Sequence, residues 1–108
     1  MKGYVMVGSS NLNTSRAFYD EVLAVLGMSS MYEDEVCIGY AHEGNADVEF
    51  YITKPANGEP VTFGNGTQIS FLTKTKEQVE KFHQIALGLG ATNEGNPGFR
   101  PHDSNVYY

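Results

Sequence analysis

YVMVGSSNLNTSRAFYDEVLAVLG at residues 4–27 and TQISFLTKTKEQVEKFHQIALGLG at residues 67–90 follow one plan. Each is an alternating apolar run, a polar break, and an amphipathic stretch that closes in Leu-Gly. Tyr4 to Gln68 and Phe18 to Phe82 are both steps of 64 residues. A period of two followed by a helical period, repeated at one offset, reads as two copies of a strand-then-helix unit. Duplication implies a pseudo-symmetric fold with a cleft between the copies; coincidence between two unrelated strand-helix units is the alternative.

Outward from these stretches, the remaining elements follow local signals. Tyr4 to Gly8 alternates as a strand and Ser9-Ser10-Asn11 breaks it. Asn13 is the expected N-cap of a first helix whose apolar face is Phe18, Val22 and Leu26 with Tyr19 and Leu23 beside them, stopped by Gly27. Three short strands are expected at Met28–Tyr32, Val36–Ala41 and Val48–Thr53, parted by the turn-forming Glu33-Asp34-Glu35 and Glu43-Gly44-Asn45. Lys54 to Gly66, with two Pro and three Gly, reads as a connector. Thr67–Thr73 then alternates as a strand. Thr75 and Gln78 form a capping box ahead of a second helix with Val79, Phe82, Ala86 and Leu89 as its buried stripe and Gly90 as its stop. Past the turn-rich 93–98 stretch, only Asn105-Val106-Tyr107-Tyr108 looks like another strand.

The fold class is therefore α+β, with paired βαβββ modules forming a mixed sheet and helices outside. Module one is expected at 1–54, the connector at 55–66 and module two at 67–108. The second module holds one strand and one helix where the first has four strands, so a truncated or partly ordered C-terminus is expected; the alternative is a short chain that borrows strands from a second copy as an obligate dimer.

A length of 108 residues with 41% hydrophobic content suits one compact domain and is too short for two. Thirteen acidic against seven basic residues leave no basic stripe for a phosphate backbone or an anionic bilayer, so neither nucleic acid nor membrane is an expected partner. The longest apolar run, Val22 to Leu26, falls far below the roughly 20 residues that span a bilayer. A lone Cys37 and a start without signal-peptide character point to a reducing, cytoplasmic setting.

Alternate strand residues share a face. Val5, Val7, Val48, Phe50, Ile52, Ile69 and Phe71 are expected in the core. Tyr4, Met6, Glu49, Tyr51, Gln68 and Ser70 are expected to face the cleft. Arg100 and His102, in the loop before Val106, place cationic groups where an anionic substrate would meet a cleft mouth. His42 and His83 have no metal-ligand spacing and read as structural, and Cys37 reads as a buried thiol without a neighbouring base.

The opening segment, with VEFYITKP at residues 48–55, the 67–91 segment and GNPGFRPHDSNVYY at the end, resembles the glyoxalase/bleomycin-resistance/extradiol-dioxygenase superfamily, the vicinal oxygen chelate fold. The resemblance covers essentially the whole chain. It implies two βαβββ modules closing a cup-shaped sheet around a divalent metal, with lyase, isomerase, dioxygenase, thiol-transferase or metal-free drug-binding activities. It also implies a further turn of RDPDGN type and a last strand, which agrees with a truncated end. Tyr4, Glu49 and Gln68 stand at positions that resemble the family's metal ligands. A divalent cation prefers imidazole or carboxylate donors, so only Glu49 is a good ligand, Gln68 a weak one and Tyr4 a poor one. No cofactor is therefore expected, with Zn, Ni, Mn or Fe as the alternative.

Three functions fit these residues. The first is a metal-independent binder of a small molecule through Tyr4, Met6, Glu49, Tyr51, Gln68, Ser70, Arg100 and His102. The second is a metal-dependent lyase or isomerase with Glu49 as base or ligand. The third is a dimeric interaction module with a remnant cleft; a homodimer is the expected assembly.

Overall fold

In the computed structural model, residues 3–62 and 64–98 are described. Among the described residues, six elements run in the order β1 (Val5–Gly8), α1 (Leu12–Ala24), β2 (Met28–Glu33), β3 (Cys37–His42), β4 (Phe50–Thr53) and α2 (Lys76–Gly88). The strands form one mixed sheet in the order β1-β4-β3-β2, with β1 parallel to β4 and the other pairs antiparallel. This is one βαβββ module followed by a second helix, an α+β architecture. Among the described residues, no helix is long and apolar enough to cross a membrane.

Helix α1 begins a half-turn earlier than its sequence signal. Asn11, not Asn13, is the N-cap, with its side chain accepting the Thr14 N–H at 3.1 Å. Its own N–H is taken by the Ser9 hydroxyl at 3.2 Å, and that hydroxyl lies 2.6 Å from the Ser15 hydroxyl, so the serines after β1 fix where the chain turns into the helix. At the other end Gly27 adopts φ 78°, a left-handed conformation that suits glycine. Its carbonyl accepts the Glu43 N–H at 3.1 Å.

The core forms where α1 lies on the sheet. Val22 and Leu23 are fully buried against Ile38, Tyr40, Phe50 and Ile52, with Leu26, Met28 and Ala86 closing the cluster. Each such aliphatic side chain contributes about 1.5–3 kcal/mol by leaving water. The buried Tyr40 hydroxyl donates to Asp20 Oδ1 at 2.8 Å, which satisfies the one polar atom this ring brings inside.

Thr75 caps α2 by accepting the Gln78 N–H at 3.1 Å. Gln78 reaches back one residue farther than the expected box, accepting the Lys74 N–H at 2.7 Å. Its amide also donates to the Val25 carbonyl at 3.1 Å and so ties the start of α2 to the end of α1. Phe82, Ile85 and Ala86 pack on the core, whereas Leu89, expected in the same stripe, is the C-cap residue and is 42% exposed.

Residues 67–73 were expected as a strand and are not one. They keep the alternation, since Ile69, Phe71 and Thr73 are half-buried while Gln68, Ser70 and Leu72 are exposed. Among the described residues, however, no backbone–backbone hydrogen bond joins this segment to another. A strand is defined by its ladder, and the segment instead rests on side-chain contact: the Phe71 ring stacks on Phe50. The strand expected at 105–108 lies outside the described residues.

Candidate functional site

Glu49 sits where β4 meets both neighbours. Its N–H donates to the Tyr40 carbonyl at 2.9 Å and its carbonyl accepts the Val5 N–H at 3.1 Å, so its backbone bridges β3 and β1. Beyond that point the carboxylate takes over, accepting the His42 N–H at 2.6 Å. A side chain thus supplies the next rung of the β3–β4 ladder.

The pleat slips by one residue at the same place. A Cβ on Gly39 would stand 2.9 Å from both Val48 methyl carbons and 3.0 Å from the Tyr51 ring, so Val48 and Tyr51, three residues apart, both cover Gly39. Strict alternation would put them on opposite faces. Val48, expected in the core, therefore lies with Tyr51 on the face away from the helices, while Phe50 and Ile52 are buried as their spacing requires.

The same carboxylate holds the His42 ring, with Nδ1 at 3.0 Å from Oε1 and 2.9 Å from Oε2. Burial alone would raise the Glu49 carboxyl above its ordinary range. The backbone and ring bonds from His42, with a further bond from Asn45, outweigh it and hold the group below that range. Glu49 is accordingly a carboxylate at neutral pH.

Glu49 and His42 border a cavity of about 720 Å³. Leu26, Met28, Phe50 and Phe71 give it an apolar body, and Gln68 and Ser70 complete its polar wall. The Gln68 amide donates to the Ser70 hydroxyl at 2.9 Å, which places both on one side of the extended segment. A second cavity of about 730 Å³, lined by Val79 and Phe82 of α2, uses residues 69–75 of that segment as its wall. The first is the stronger candidate site because it gathers a carboxylate, an imidazole, an amide and a hydroxyl around an apolar floor, whereas the lining of the second includes no acidic or imidazole group.

Of the residues singled out from sequence, the structure brings Glu49, Gln68 and Ser70 to this cavity. Tyr4, Met6 and Tyr51 are together but elsewhere. The Tyr4 and Tyr51 rings meet edge to face at 5.0 Å and Met6 is the register partner of Tyr51, all on the sheet face away from α1, and none lines the cavity. Arg100 and His102 lie outside the described residues. His42, read from sequence as structural, also borders this cavity; the seven-residue return from the end of β3 that brings it to Glu49 is not revealed by spacing alone.

The ligand set implied by the resemblance, Tyr4, Glu49 and Gln68, does not converge on one point that a divalent metal could occupy. Both Glu49 oxygens face His42, Gln68 is bonded to Ser70, and the Tyr4 phenol is on the other face of the sheet. Among the described residues, no group of three His, Cys, Asp or Glu side chains is placed to hold an ion. Cys37 is no better placed for covalent chemistry: burial, together with the nearby Asp34 carboxylate, pushes its thiol up.

No family model matches the chain, and no curated protein matches it. Among solved structures it is similar to the crystal structure of a glyoxalase/bleomycin resistance protein from Albidiferax ferrireducens T118. The two are 36% identical, with a TM-score of 0.80, and the match covers 93% of this chain and 82% of the other.

Proposed function

Since the chain belongs to the glyoxalase/bleomycin resistance protein family, we propose that it binds a small molecule in the cavity beside Glu49 and His42, without a metal ion. The observation that carries this reading is the composition of that cavity. Its volume of about 720 Å³ falls in the range of small-molecule sites, and a mostly apolar lining with a few converging polar groups is the usual character of such sites. Its polar groups already bond to one another, Glu49 with His42 and Gln68 with Ser70. Such a set suits shape and hydrogen-bond recognition better than the coordination that a metal-dependent lyase or isomerase requires.

The test is a thermal-shift screen of small organic molecules against the wild-type chain and Ser70→Trp, which fills the cavity from an exposed position on its wall. A bound ligand at a hundredfold excess over its Kd adds about 2.7 kcal/mol of stability. That gain is expected in the wild type and in Tyr4→Ala, and absent in Ser70→Trp. Titration with Zn²⁺, Ni²⁺, Mn²⁺ and Fe²⁺ supplies the counter-test. Micromolar or tighter metal binding that disappears in Glu49→Ala overturns the metal-free reading.

A further inference from the structure

An ionised carboxylate only accepts hydrogen bonds. The Glu49 oxygens at 2.9 and 3.0 Å from His42 Nδ1 therefore require the ring proton on that nitrogen. In a neutral imidazole the second nitrogen is then an acceptor, with its lone pair in the ring plane. No hydrogen bond from a described residue reaches His42 Nε2. Of the cavity's other polar side chains, the Gln68 amide donates to Ser70, and Gln78 bonds to Lys74 and Val25. Lys74 also lines the cavity and can only donate.

Deepening the small-molecule reading and resting on it, we propose that His42 Nε2 is the atom through which the cavity recognises its ligand, accepting a hydrogen bond from a neutral hydroxyl or N–H group on an otherwise apolar molecule. The donor is neutral because Glu49 places a full negative charge beside the same ring, which repels an anionic group, while the Lys74 ammonium on the same cavity wall repels a cationic one. The body is apolar because Phe50, Phe71, Leu26 and Met28 form the floor. Glu49 is the positioning residue: it fixes the tautomer, and its second bond, to the His42 N–H, fixes the backbone that carries the ring.

Two measurements test this. Long-range ¹H–¹⁵N correlation spectra of the ligand-free protein at about pH 8, above the ordinary imidazole range, read the tautomer directly. His42 is expected with Nδ1 protonated and Nε2 bare in the wild type, and as a tautomer mixture in Glu49→Ala. An Nε2-protonated ring in the wild type overturns the inference. It leaves cavity binding itself standing, because no ligand takes part in this measurement. In the second measurement, phenol and toluene, alike in shape and different in having a donor, are titrated and followed by the shifts of cavity amides. Phenol is expected to bind about fivefold more tightly than toluene in the wild type, the worth of one ordinary hydrogen bond, and equally in His42→Phe. Equal binding in the wild type, or a phenol preference that survives in His42→Phe, overturns the inference. Should His42→Phe fail to fold, the wild-type tautomer alone decides.

Discussion

The rings of Phe50 and Phe71 lie stacked, with centroids 5.2 Å apart and planes 18° from parallel, and this contact joins the buried centre of the sheet to a segment that shares no ladder with it. Phe71→Ala removes the contact and opens the wall between the two cavities. Because Phe71 is half-buried, the expected loss is about 2 kcal/mol, below the range for fully buried Phe-to-Ala changes. Urea unfolding measures it, and an unchanged midpoint would show that the stack carries no stability.

Gly39 is the point on which Val48 and Tyr51 rest. A methyl group there would stand 2.9 Å from the Val48 methyl carbons, too close to be absorbed without moving β4 or the Val48 side chain. Gly39→Ala is expected to cost about 1–3 kcal/mol, the usual penalty of overpacking. The double variant with Val48→Ala should recover part of the loss. If the two changes are simply additive, the crowding described at Gly39 is not the cause.

Acid should weaken the chain partly through Glu49. Its folded carboxyl is held below the ordinary value of 4.5, so its contribution to stability is present above that value and is lost as pH falls through the lower, folded one. Glu49→Gln is expected to be the less stable protein at pH 7 and to close that gap progressively as pH drops below 4.5. Thermal melts across this range check the sign. Asp34 has a separate, lower window. The Tyr32 hydroxyl, then the Cys37 and Val36 N–H groups, hold its carboxyl at about 2.

The order strand, helix, three strands was legible because each element carries a local signal: the Phe18, Val22, Leu26 spacing, the alternation around Phe50, and the Thr75 cap. Local ambiguity explains the small errors. Asn11 and Asn13 are equally good caps by type, and the Ser9 hydroxyl, which meets both the Asn11 N–H and the Ser15 hydroxyl, sets the turn at Asn11. The site was less legible for a physical reason. Period-two reasoning assigned Glu49 and Val48 to faces on the assumption of an unbroken pleat, and the carboxylate rung to His42 breaks it. Residues 67–73 show the complementary case: their alternation is real, but whether an alternating run becomes a strand depends on a partner that its own residues do not encode.

Hydrogen exchange should separate these two kinds of β sequence. Amides of Ile38, Tyr40 and Ile52, in buried and laddered strands, are expected to exchange only with global unfolding. Those of Ile69, Phe71 and Leu72, with no backbone–backbone bond to a described neighbour, should exchange orders of magnitude faster. Comparable protection in both sets would mean that 67–73 is laddered in solution.

The segment that walls the cavity is thus secured by one aromatic ring and not by the framework. Substitutions at Gln68, Ser70 or Leu72 can remodel the chamber while the four paired strands and α1 keep their register. The shape of that chamber is free to drift along seven residues of chain, with the scaffold indifferent to the outcome.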